Sequence, residues 1–150
     1  MGCGASTSEP GSGGQVTTLH SKIRWFNPED DADAKQVRLE AIIKLLPKFI
    51  NTQDAQNGNV ALHLAAQNGH YEVVDLLLSR GANINAKNFL GNTALHMSME
   101  YGFETVSRLL LEKGADPKIK NDEGCEAGTG IDGTKTPLKV DLTSSAESAE

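Results

Sequence analysis

Hydrophobic residues gather in three stretches, each with the three-to-four-residue spacing of a helix that buries one face. They are VRLEAIIKLLPKFI (Val37–Ile50), ALHLAAQNGHYEVVDLLLSRG (Ala61–Gly81) and ALHMSMEYGFETVSRLLLEKG (Ala94–Gly114). In the second and third stretches a glycine, Gly69 or Gly102, interrupts the pattern midway, and another, Gly81 or Gly114, closes it. A glycine just past a helix C-terminus takes the left-handed conformation that other residues avoid. Each of these two stretches therefore predicts helix, tight turn, helix, and then an extended hairpin-like loop. Helices this short are not stable alone in water, so each unit depends on burial against its neighbour. The expected fold is an all-α solenoid in which one unit stacks on the next.

The two glycine-punctuated stretches are copies of one unit. AQNGNVALHLAAQNGHYEVVDLLLSRGANINAK (Ala55–Lys87) aligns without a gap on NFLGNTALHMSMEYGFETVSRLLLEKGADPKIK (Asn88–Lys120), a spacing of 33 residues. Gly58 falls on Gly91, Ala61-Leu62-His63 on Ala94-Leu95-His96, and Leu76-Leu77-Leu78 on Leu109-Leu110-Leu111. With this period and these motifs the chain resembles the ankyrin repeats, whose pattern runs D-x-x-G-x-T-P-L-H-x-A-A-x-x-G-H and then V-x-x-L-L-x-x-G-A-D. The resemblance covers Ala55–Lys120 strongly. Val60 stands where the family has a helix-capping threonine, kept as Thr93, and such a loss typically costs ~1 kcal/mol. Ala61 and Ala94 replace the proline of the first turn, and Met97-Ser98-Met99 replaces Leu-Ala-Ala.

Two units are fewer than the roughly three that a solenoid usually needs, so the flanks are expected to contribute. Val37–Asp54 resembles the second helix and exit loop of a preceding unit. Asn27-Pro28-Glu29-Asp30-Asp31 reads as a helix start, with an asparagine cap and proline at the first position. Residues 21–54 are thus expected to form a degenerate N-terminal capping repeat with Trp25 and Phe26 covering its outer end. Asn121-Asp122-Glu123-Gly124 begins a third unit that is diverted through an inserted loop before Asp132–Leu138, a broken repeat over 121–142. Residues 1–20, which take His20 into the tail, and 143–150 read as disordered.

The formal net charge of −6 argues against nucleic acid as a partner, because phosphate binding needs a basic patch. Lys35, Arg38, Lys44 and Lys48 cluster near the N-terminal helix and read as its solvated face, with an anionic membrane as the alternative. No apolar run approaches the ~18 residues of a spanning helix. Cys3 and Cys125 are too few for a disulfide framework. Cys125 has only acids for neighbours (Asp122, Glu123, Glu126), not the cations that activate a thiol. His63 and His96 lack convergent cysteines or carboxylates at ligand spacing, so no metal or catalytic pair is read there. The family resemblance instead gives this histidine a structural role, hydrogen-bonding backbone between adjacent repeats. Gly128, Gly130 and Gly133 spell G-x-G-x-x-G, and Gly128–Lys135 is the one segment that suggests a nucleotide. That chemistry needs a preceding strand and a following helix, and neither is predicted. The chain is read as a non-enzyme without a cofactor.

What remains is surface. The resemblance implies partner binding through hairpin tips and exposed positions of the inner helices: Gln56, Asn57, Asn59, Gln67, Asn68 and Arg80 in the first unit. In the second these are Phe89, Leu90, Asn92, Glu100, Tyr101 and Lys113. Phe89, Leu90 and Tyr101 are anchor types; the alternative for Phe89 is that it folds back onto its own repeat. The opening MGCGAS matches M-G-x-x-x-[ST], the N-myristoylation signal on Gly2, and Cys3 is a palmitoylation candidate by resemblance to dually acylated proteins. One myristoyl chain binds bilayers only at ~10⁴ M⁻¹, so a second anchor is needed, and residues 1–33 hold too many acids to provide a basic one. The Gly/Ser/Thr-rich segment to about His20 would span ~25 Å. The expected protein is a monomeric adaptor that binds another protein at the cytosolic face of a membrane. An untethered cytoplasmic inhibitor or assembly subunit is the alternative.

Overall fold

The computed structural model describes residues 12–138. Seven α-helices and no strand are found among them: α1 (Ser12–Arg24), α2 (Ala32–Ile43), α3 (Leu46–Phe49), α4 (Ala61–Gln67), α5 (Tyr71–Ser79), α6 (Ala94–Glu100) and α7 (Glu104–Glu112). A 3₁₀ turn, Ala127–Thr129, follows. The helices form the expected solenoid. An inner row runs from α1 through α4 and α6 to the 3₁₀ turn, and α5 and α7 pack together in an outer row.

Small residues explain the spacing of the inner row. Ala61, Ala65 and Ala66 on α4 and Ala94 on α6 are buried to 1% exposure or less, so the helix backbones approach closely. Leu62, Leu77, Leu95 and Leu110 fill the space between units. The bulkier Met97 and Met99 are accommodated around a buried Ser98, whose hydroxyl accepts a 2.7 Å hydrogen bond from Ser107 of α7. Gly69 and Gly102 take φ of +70° and +75° at the inner-helix ends, as the pattern predicts. At Gly69 a side chain is excluded twice over, because a Cβ there would also lie 2.5 Å from the ring of Phe103.

The N-terminal unit departs from expectation in four ways. First, the boundary at residue 20 is too late: α1 starts at Ser12, and Leu19, His20 and Ile23 are buried against the inner row. Packing on α4 offsets the poor helix propensity of glycine and threonine in SGGQVTTLHSKIR. Second, His20 is no tail residue; its Nδ1 lies 3.6 Å from the Asp54 carboxylate. Third, Asn27 does not cap a helix. Its side chain closes a local turn by accepting from Glu29 N–H, and Asp31 caps α2 by accepting from Ala34 N–H at 2.9 Å. Fourth, Phe26 is buried edge-on against His70, but Trp25 is 72% exposed and covers nothing. Residues 1–11, with Gly2 and Cys3, and residues 139–150 lie outside the described residues.

At the other end the third unit runs further in register than expected. Ala127 falls 33 residues after Ala94, is equally buried, and starts the 3₁₀ turn where the next inner helix belongs. Gly130, with φ +85°, ends it at once. The loop is therefore not diverted at Gly124 but after Thr129.

Candidate interaction surface

Each unit begins with a loop closed by one side chain. Asp54 Oδ1 accepts from the backbone N–H groups of Gln56, Asn57 and Gly58. Asn88 Oδ1 accepts from Leu90 and Asn92, both at 3.0 Å, and Asn121 Oδ1 from Glu123 and Cys125. The loops are then tied to one another. Asn88 Nδ2 donates to Asn59 Oδ1 at 3.0 Å, and Asn121 Nδ2 to Asn92 Oδ1 at 2.9 Å. Phe89 N–H donates to Asn57 C=O and Asp122 N–H to Leu90 C=O.

The histidines hold the same loops from behind. The His63 ring accepts from Val60 N–H at Nδ1 (3.0 Å) and donates from Nε2 to the Asn92 carbonyl (2.8 Å) in the next unit. His96 repeats this with Thr93 N–H (2.9 Å) and the Cys125 carbonyl (3.0 Å). The structural role implied for these histidines is what the structure has. Burial holds both rings below the ordinary imidazole pKa, against the opposing pull of those carbonyls. This arrangement also replaces the threonine cap. The Thr93 hydroxyl lies 3.0 Å from His96 Nδ1 and bonds no helix amide, so Val60 forfeits no such cap. Both helices start on the histidine.

Of the residues expected to bind a partner, the folding brings Gln56, Asn57, Phe89 and Leu90 together as one row of exposed tips. Phe89 is 57% and Leu90 65% exposed. Phe89 does fold back in part, onto the preceding unit: its ring lies where a Cβ on Gly58 would be, 2.4 Å away. Gln67 and Tyr101 meet at the inner-helix ends, amide to phenol at 3.4 Å, with Tyr101 52% exposed. Arg80 and Lys113 sit apart from these, at the C-caps of α5 and α7, and Lys113 reaches Asp75 at 3.7 Å.

Four expectations need correction. Asn59 and Asn92 are buried, because their side chains are the acceptors that join unit to unit. Asn68 is half-buried and bonds the Leu64 carbonyl at 2.7 Å, closing the end of α4. Glu100 is half-buried under the C-terminal segment, accepting from Ile131 N–H at 3.1 Å with Lys135 Nζ 3.8 Å away. Conversely, Asp122 and Glu123 are exposed and extend the tip row into the third unit. Their position, 33 residues after Phe89 and Leu90, was the signal that would have included them.

The glycine-rich segment does not have the geometry of a phosphate loop. Gly128 N–H donates to Pro117 C=O, Gly130 N–H to Ala127 C=O and Lys135 N–H to Thr129 C=O, so these amides are already engaged. The Glu100 carboxylate occupies the loop, and no helix follows among the described residues. Nor do the described residues bring three His, Cys, Asp or Glu side chains together as a metal site would require. No described helix is long and apolar enough to cross a membrane.

Comparison with known proteins agrees with this geometry. The family description "Ankyrin repeats (3 copies)" fits residues 33–121, starting inside the unit read as a cap. Two curated rice proteins (Oryza sativa subsp. japonica), the probable E3 ubiquitin-protein ligases XBOS33 and XBOS32, are each 38% identical over 68 residues. Those matches span 45% of this chain and only 13% of each rice protein. Among solved structures, the ankyrin repeat domain of Bcl-3, described as a unique member of the IkappaB protein family, superposes with a TM-score of 0.60 at 29% identity. It covers 73% of this chain and 44% of that one. The stacked units, their histidine bridges and the 33-residue period have one common explanation: this chain belongs to the ankyrin-repeat family.

Proposed function

We propose that the chain is a monomeric adaptor, a protein-binding module held at the cytosolic face of a membrane by acyl groups on Gly2 and Cys3. The observation that carries the binding role is the tip row, where Phe89 and Leu90 remain exposed on loops tied down by hydrogen bonds on both sides. Such preorganised apolar side chains dock at little entropic cost. The partner that fits presents an apolar side chain to Phe89 and Leu90 and a cation to Asp122 and Glu123. The acylation signal M-G-x-x-x-[ST] supports the tether, and the start of α1 at Ser12 makes that tether shorter than composition implies.

Changing Phe89, Leu90 and Tyr101 together to serine should weaken partner affinity by about tenfold to a hundredfold, the cost of one or two lost anchors. Titration calorimetry reads this, with a melting curve as control because Phe89 also packs on Gly58. Unchanged affinity in a folded variant defeats the assignment. For the tether, labelled myristate should enter the wild-type chain and not Gly2→Ala. Cys3→Ser should move the protein to the soluble fraction, since one myristoyl chain gives only ~10⁴ M⁻¹. Absence of label leaves the untethered cytoplasmic module.

A further inference from the structure

Among the described residues no further unit packs on the outer side of α1 and α2, and a soluble array normally makes such an end face polar. Here it is not. Trp25, the chain's one tryptophan, is 72% exposed and Val37 66% exposed, the two most exposed large hydrophobic side chains among the described residues. Both line a single open groove of about 310 Å³, completed by Ser21 and Lys22 of α1 and by Arg38 and Ala41 of α2. The groove is held in shape. Arg38 pairs with Asp30 and donates to the Trp25 carbonyl at 3.4 Å, which fixes the backbone that carries the indole.

We propose that this end face is a lipid-contact surface, on which Trp25 and Val37 enter the bilayer interface with Lys22 and Arg38 at headgroup level. The proposal rests on the acylation reading for how the chain arrives at a membrane. Two observations favour lipid over other occupants. The groove is within reach of the acylated residues: the nine residues from Cys3 to Ser12 extend at most ~30 Å, and α1 rises ~20 Å from Ser12 to Arg24. Its chemistry, an indole and an aliphatic flanked by long cationic side chains, is that of a membrane-water interface. Charge along the solenoid fits the same orientation. The described third unit has Asp122, Glu123, Glu126 and Asp132 against Lys135, and docking by the opposite end turns these carboxylates away from an anionic surface. Glu29, Asp30, Asp31 and Asp33 lie on the loop and first turn beside the groove, so insertion rather than attraction to anionic lipid dominates. The contact should therefore persist on zwitterionic vesicles and in high salt.

Trp25 is its own reporter. Full-length acylated protein added to phosphatidylcholine vesicles should show a blue shift of tryptophan emission and quenching by lipids brominated near the headgroup. Val37→Asp should reduce the shift, and in the Cys3→Ser background, where one myristoyl chain binds only marginally, Trp25→Ala should lower the vesicle partition constant about tenfold. Co-sedimentation with vesicles while Trp25 emission stays at its solution wavelength overturns the proposal and leaves the tether reading intact. If the chain takes no acyl group, the tether reading fails on its own. The full-length chain held on nickel-chelating lipids by an N-terminal histidine tag then gives the same readout: a blue shift upholds the surface, and its absence overturns it. A blue shift that grows with protein concentration without vesicles assigns the groove to a second copy and also overturns the proposal.

Discussion

Replacing His63 by alanine will lower the free energy of unfolding by about 3 kcal/mol, because it strands two buried backbone groups at once, each worth roughly 1–3 kcal/mol. The Val60 N–H loses its acceptor and the Asn92 carbonyl its donor, at residues each 2% exposed. Neither group has water to turn to, and alanine also leaves the space of a fully buried ring empty. The effect crosses a unit boundary, since Val60 begins one inner helix and Asn92 belongs to the next loop. Units in a solenoid are stable largely through such interfaces, so cooperative unfolding should weaken along with the total. Urea denaturation at neutral pH measures the loss, and hydrogen exchange at the Val60 amide should accelerate. A change within the ~0.5 kcal/mol of an ordinary surface substitution would mean the ring does not bridge the units.

Mild acid will destabilise the fold, beginning as pH falls below the 6.5 of an unperturbed histidine. All four histidines are buried, and desolvation holds each below that value in the folded chain. For His20 the Asp54 carboxylate opposes the shift and Arg24 adds to it; for His96, Lys87 adds to it. The sign follows from linkage. Between the folded and unfolded pKa values the unfolded chain binds more protons, so stability is present above 6.5 and is lost as pH falls toward the folded values. The geometry gives the same direction at His63 and His96. Nε2 already donates, so an added proton must go on Nδ1, where it would face the Val60 or Thr93 N–H. Urea midpoints should drop steadily from neutral pH to about 5, before aspartate and glutamate near 4 begin to titrate. A flat profile over that range would contradict the burial of these rings. In His96→Gln the dependence should be shallower.

Much of this was legible in the chain itself. The 33-residue period needs no structure to be seen, because the same inter-unit contacts demand the same residues at the same register twice over. Gly69, Gly102 and the paired His63 and His96 were readable for that reason. The exposed tips Phe89 and Leu90 were readable too, since they sit at a loop position that the period identifies.

Other features depend on contacts between distant residues, and local pattern misleads there. Ser12–His20 is rich in glycine, serine and threonine and looks like tether, yet α4 supplies a surface that Leu19, His20 and Ile23 can bury against. Asn59 and Asn92 are polar loop residues that look exposed, but a second asparagine 29 residues further on turns each into a buried acceptor. Ala127 keeps its register although Gly128 and Gly130 erase the helical pattern around it. Trp25 was expected to cover an end and instead stands open on it.

Repetition and the composition of single helices were thus determined by sequence alone, because they follow from residue type and spacing within one unit. Where the first unit begins, which polar side chains go inside and which apolar ones stay outside were decided only by tertiary structure. Those outcomes are set by whether another unit is there to exclude water, and no local window of sequence contains that neighbour.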